Sequence, residues 1–153
     1  MPIFIKDLKS VAGCSITFVS WGLLNNIPDF DDRIVTRIKQ ASFIILGKTS
    51  TSELGFYPYT KPIGFSPAKN PWNLEYTPSF SNRRAAVSMA AGLCSIAQGS
   101  DSGGSIRGLA ACCGLVGIKP YRGRVSQAPA GKRIAVWGLM TPWQETCLMQ
   151  QPC

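Results

Sequence analysis

The chain has 153 residues, 45% of them hydrophobic and 16% charged, with a net charge of +8 and no histidine. This length and composition suit one folded domain with its own core and exclude an intrinsically disordered chain. The missing histidine excludes an imidazole base and any Cys/His zinc site. The basic residues run from Lys6 to Arg133 with only small clusters at Arg83-Arg84 and Lys119–Arg124, so no nucleic-acid partner is expected.

Pro2–Ile5 is an apolar run closed by Lys6 and predicts a buried strand with an amine at its end. Asp31 or Asp32 can cap a helix running to about Gln40, with Ile34, Val35 and Ile38 on one face. Ser42–Leu46 predicts a strand ended by Gly47, and helix-then-strand is the order of α/β proteins. Tyr57–Pro78 is rich in proline yet carries Phe65, Trp72 and Tyr76, so it predicts a long ordered loop or lid. Ala85–Leu93 predicts a helix of small residues able to pack close to a neighbour. Ser95–Gly99 predicts a short strand, Ile106–Cys113 a helix ended by Gly114, and Leu115–Lys119 a buried strand stopped by Pro120.

The six cysteines (Cys14, Cys94, Cys112, Cys113, Cys147 and Cys153) form no C-x-x-C pair. Cys112 and Cys113 read as two small buried residues, and free thiols point to a reducing compartment, the cytoplasm. "VAGC" at 11–14 resembles a lipoprotein processing site, but Lys6, Asp7 and Lys9 interrupt the apolar region such a site needs. The uncharged run 10–28 is rich in Ser, Gly and Asn, so no membrane association is expected.

Chemistry concentrates in "GSDSGGSIR" at 99–107. Glycines before Ser105 let the backbone turn sharply, and the helix after it aims further N–H groups at the same point. A hydroxyl beside an anion cradle is what acyl transfer requires, although a plain Gly-rich turn or phosphate loop has the same composition. A serine without histidine needs another base. Lys6 and Lys48 both follow apolar runs where desolvation favours a neutral amine, and composition does not choose between them.

Four blocks, "GKTSTSELG" (47–55), "NPWNLEYTP" (70–78), "GSDSGGSIR" (99–107) and "CGLVGIKPYRGRVS" (113–126), resemble the amidase signature family. The likeness covers about Pro2 to Thr141. It implies an α/β fold with a mixed sheet flanked by helices, here incomplete at both ends. A partial core over 1–141 is then followed by a divergent tail, 142–153, whose codons could reflect a shifted reading frame. The resemblance implies a Ser–cis-Ser–Lys triad, with Ser105 as nucleophile, Ser81 as the bridging serine and Lys6 as the base. Lys48 falls to a structural loop. Amides of Ser102, Gly103, Gly104 and Ser105 would hold the oxyanion, and no metal or cofactor is implied. Asp101 and Arg107 are expected to be structural, paired with each other or with backbone carbonyls. Where the family's bridging block is Gly-rich, this chain reads "PSFSNRR" at 78–84.

The implied activity is hydrolysis of a linear or cyclic carboxylic amide through a serine acyl-enzyme. The implied partners are a small-molecule amide and, at most, a second copy of the chain as a homodimer. Three other readings stand beside it: a truncated, inactive amidase-like remnant, a relative of the amidase-type subunit of tRNA-dependent amidotransferase, and a basic nucleic-acid-binding protein.

Overall fold

The computed structural model describes residues 1–55, 68–76, 81–121, 123–129 and 145–150. Strand β1 (Pro2–Lys6) leads through helix α1 (Arg33–Gln40) to strand β2 (Ile44–Thr49). Helix α2 (Arg83–Ala90), strand β3 (Ile96–Asp101), helix α3 (Arg107–Cys113) and strand β4 (Val116–Ile118) follow, and strand β5 (Glu145–Gln150) closes the order. The strands form one sheet in the order β2-β1-β3-β5-β4. β1 pairs parallel with β2 and β3, whereas β5 runs antiparallel between β3 and β4. The sheet is therefore mixed, with helices packed against it, as the resemblance implies.

The alternation along β1 and β3 explains why the sheet is covered on both faces. Ile3 and Ile5 of β1 join Ile96 of β3, Val11, and Val35 and Ile38 of α1 in one apolar cluster. Phe4, pointing the other way, packs with Ala97 against Ala85, Ala86 and Met89 of α2, Ile106 just before α3, and Leu109 and Cys113 of α3. Lys6 shares the Phe4 parity, so the same alternation turns its side chain toward α2 and α3.

Several elements depart from the sequence expectation for tertiary reasons. Asp32 stands at the N-cap of α1, but its side chain makes no cap bond and accepts instead from Ser10 N–H, with Lys9 Nζ 3.7 Å away. Asp31 accepts from Ala12 N–H and Lys39 Nζ. β2 does not stop at Gly47, because its ladder with β1 continues to Thr49. Lys48 thus lies in a strand rather than a loop, 2.9 Å from Asp7. β3 extends past Gly99 to Asp101, paired residue for residue with β5. The tail expected to diverge, 142–153, holds β5, whose backbone supplies six ladder partners of β3. β4 is not buried: Val116 and Ile118 are exposed, as are Ile44 and Leu46 of β2 at the opposite edge. Cys113 is buried but Cys112 faces out, because consecutive helical positions point in different directions.

The expected lid is described only at 68–76, where turns place exposed Trp72 so that its indole N–H donates to Cys113 O at 2.9 Å. Its remaining residues, 57–67, 77 and 78, lie outside the described residues. Among the described residues no helix is long and apolar enough to cross a membrane.

Candidate active site

Lys6 ends β1, and Ser100 and Asp101 end β3, so two adjacent parallel strands deliver their last residues to one end of the sheet. Open α/β sheets use that end, beyond the carboxyl termini of the strands, for ligands. The loop that leaves β3 carries Ser105, and Ser81 stands just before α2. All three residues named by the resemblance meet here. Lys6 Nζ lies 2.9 Å from Ser81 Oγ, and Ser81 Oγ lies 3.1 Å from Ser105 Oγ. Lys6 is 1% exposed and Ser81 8%. The peptide bond before Ser81, cis in the family, involves Phe80 and lies outside the described residues.

The amine has a second hydroxyl neighbour that the sequence did not single out. Ser100 Oγ is 2.8 Å from Lys6 Nζ, and the Lys6 backbone N–H donates to Gln98 Oε1 at 2.9 Å. A small polar residue inside a strand carries no local signal of such a contact. Lys48, the other candidate base, is committed to its ion pair with Asp7.

Asp101 organises the loop. It is fully buried and accepts from Gly104 N–H at 2.7 Å and from Ile106 and Arg107 N–H at 3.3 Å. Arg107 adds a two-pronged pair, Nε to Oδ2 at 2.9 Å and Nη2 to Oδ1 at 3.0 Å. Burial alone would raise the Asp101 pKa, but the hydrogen bonds from Arg107 and the three amides outweigh it and hold the carboxyl at about 2. Asp101 and Arg107 are therefore paired with each other, as the sequence suggested. Gly104 adopts φ +114°, a conformation that side-chain-bearing residues avoid, which lets the loop fold back onto Asp101.

That contact also alters the expected oxyanion cradle. Of its four amides, Gly104 N–H is spent on Asp101. Those of Ser102, Gly103 and Ser105 have no hydrogen-bond acceptor among the described residues.

Ile106 follows Ser105 in the chain and fixes the loop to the sheet. It is fully buried, and glycines stand where its branches reach the sheet. A Cβ on Gly99 would come within 3.1 Å of Ile106 Cδ1, and one on Gly117 within 3.1 Å of Ile106 Cγ2. Arg83, at the start of α2, is also buried. Burial pushes its guanidinium pKa down, and its Nε has no partner among the described residues.

Fold and site together define an α/β protein with a lysine and three serines gathered at the carboxyl end of its parallel strands. The Amidase family model matches residues 1–141, and the chain belongs to that family. It is 53% identical over 131 residues to a putative amidase of Synechocystis sp. (strain ATCC 27184 / PCC 6803 / Kazusa), covering 86% of this chain and 26% of that protein. The chain spans about a quarter of the length of the curated relatives it matches. Among solved structures it resembles a 6-aminohexanoate cyclic dimer hydrolase complexed with substrate, at TM-score 0.86 and 31% identity, covering 99% of this chain and 31% of that one. It also resembles a glutamyl-tRNA(Gln) amidotransferase subunit of Thermotoga maritima, at TM-score 0.78 and 39% identity, covering 82% and 28%.

Proposed function

We propose that the chain carries the catalytic centre of an amidase that cleaves a linear or cyclic carboxylic amide through an acyl-enzyme on Ser105. The observation that carries this reading is the continuous oxygen and nitrogen chain Lys6 Nζ–Ser81 Oγ–Ser105 Oγ, at 2.9 and 3.1 Å. Both distances are within reach for proton transfer.

The steps follow from that chain. An amine removed from water is more readily neutral, and a neutral Lys6 can take the Ser81 hydroxyl proton while Ser81 takes that of Ser105. Ser105 Oγ then attacks the amide carbon. The oxyanion is received by the amides of Ser102, Gly103 and Ser105, which have no acceptor among the described residues, with Gly104 serving the loop through Asp101 instead. The proton returns along the relay to the departing nitrogen, which leaves as ammonia or an amine. Water, deprotonated by the same relay, cleaves the ester to a carboxylate and restores Ser105. Ser100 gives the amine a second hydroxyl partner that steadies its position. The free thiols of Cys14, Cys94, Cys112 and Cys113 support a reducing, cytoplasmic setting.

A fluorophosphonate probe tests the reading directly. Ser105 in the wild-type chain is expected to be labelled, and Ser105→Ala to lose the label entirely. Lys6→Met is expected to slow labelling by about 100-fold or more, since the relay loses its base. Absence of label on folded wild-type chain would leave an inactive amidase-like remnant.

A further inference from the structure

Asn82 lies next to Ser81, enters α2, and is 1% exposed. An asparagine at a helix entrance ordinarily turns its side-chain oxygen onto the amides of the first turn. Asn82 makes no such bond. Its Nδ2 instead donates to Ser100 O at 2.6 Å and to Ser105 O at 2.9 Å, while Ser100 N–H approaches Oδ1 at 3.5 Å. One carboxamide thus spans the strand that carries the hydroxyl beside Lys6 and the loop that carries Ser105, and it is covalently adjacent to Ser81.

A second observation is steric and independent of those bonds. A Cβ at Gly99 would lie 2.8 Å from Asn82 Nδ2 and 3.1 Å from its Cγ. The bare backbone at Gly99 is what gives the carboxamide room to reach both carbonyls. Two carbonyl oxygens on different segments fix a planar donor in both position and orientation, since each N–H has one direction.

We infer that Asn82 is a positioning residue for Ser105: its carboxamide fixes the spacing between the Ser81 and Ser105 oxygens by tying both segments to the end of β3. The inference rests on the amidase reading of the site. In that reading a small displacement of the attacking oxygen has a steep effect on rate, because reacting groups must be aligned before the step. The Asn82 carboxamide is engaged with main-chain groups of Ser100 and Ser105 and with none of the three side-chain atoms of the relay, so its effect is expected on the bond-forming step rather than on probe binding.

The test measures fluorophosphonate labelling of the chain at several probe concentrations, which separates the limiting rate from the affinity. Asn82→Ala removes both donors, and Asn82→Asp places a carboxylate against the two carbonyls at nearly the same size. Both are expected to lower the limiting rate on the order of 10- to 100-fold, with affinity changed less than about twofold. Folded variants that label at the wild-type rate, or that lose affinity alone, would overturn the inference. Hydrogen exchange provides a readout that needs neither catalysis nor a variant. In the wild-type chain the Asn82 Nδ2 protons are expected to exchange slowly, and fast exchange would overturn the assignment. If wild-type Ser105 takes no label, the amidase reading fails, while slow exchange at Asn82 would still support the tie between the two segments.

Discussion

The two faces of the sheet are built from different materials. On the face under α1, the cluster is branched and aliphatic: Ile3, Ile5, Ile96, Val35 and Ile38. On the face under α2 and α3 it is dominated by small residues, with Ala85, Ala86, Ala97, Cys94 and Cys113 around Met89, Ile106 and Leu109. Branched residues fill volume and hold layers apart, whereas alanines let main chains approach. Serine side chains are short, so Ser81, Ser100 and Ser105 can meet Lys6 only where the backbones that carry them are close. The small-residue face is the one that permits this. The difference teaches that one face supplies bulk stability while the other supplies proximity, and that each should fail in its own way when repacked.

The largest expected effect breaks the bulk face. Ile5 is fully buried beneath α1, and Ile5→Ala is expected to cost about 2–5 kcal/mol in urea unfolding. The folded fraction should still label at close to the wild-type rate, because Ile5 lies on the opposite face from the hydroxyls. A labelling rate that collapses with folding intact would erase the distinction between the faces.

A smaller and more pointed effect sharpens it. A Cβ at Gly117 would stand 2.8 Å from Ala110 Cβ, 3.1 Å from Ile106 Cγ2 and 3.2 Å from Ile106 O. Gly117→Ala is expected to cost about 1–3 kcal/mol by overpacking. It should also slow labelling of the folded protein, because the atoms it displaces adjoin Ser105. Loss of stability with an unchanged labelling rate would show that this face, too, contributes bulk alone.

The most confined effect lies in acid. Asp101 has a folded pKa of about 2, below its ordinary 3.8. Its ionised form therefore contributes stability that is fully present above 3.8 and is lost as pH falls through about 2. The stability gap between wild type and Asp101→Asn, measured by urea midpoints, is expected to shrink across that window. A gap that stays constant would mean the carboxylate's hydrogen bonds contribute nothing specific to its charge.

The strand at Pro2–Lys6 was readable in the sequence because an unbroken apolar run suits a strand covered on both faces. The meeting of Lys6, Ser81 and Ser105 was readable only through family likeness, since nothing local in residues so far apart brings them together. Asp31 and Asp32 looked like helix caps because capping is a local preference. Ser10, Ala12 and Lys39 compete for those carboxylates through contacts that sequence position alone does not show. Asn82 drew no expectation from the sequence, because its partners come from β3 and the Ser105 loop rather than from its own neighbours. Gly104, counted in the expected cradle, donates its N–H to the Asp101 carboxylate, a contact that the glycine pattern alone does not show. Exposure at Val116 and Ile118 followed from their place on an edge strand, and order within a sheet is not written in any one strand.

Ile106 has two branches on one carbon, and each reaches toward a strand that keeps a bare glycine there. A β-branched side chain has few permitted rotations about its first bond. The handedness of that carbon, and not the amount of apolar surface it carries, decides which branch meets which strand. The neighbouring residue is Ser105. In the reaction proposed for Ser105, the aim of its oxygen would then depend on stereochemistry at a carbon that takes no part in the chemistry, and an isomer of equal volume and hydrophobicity would aim it differently.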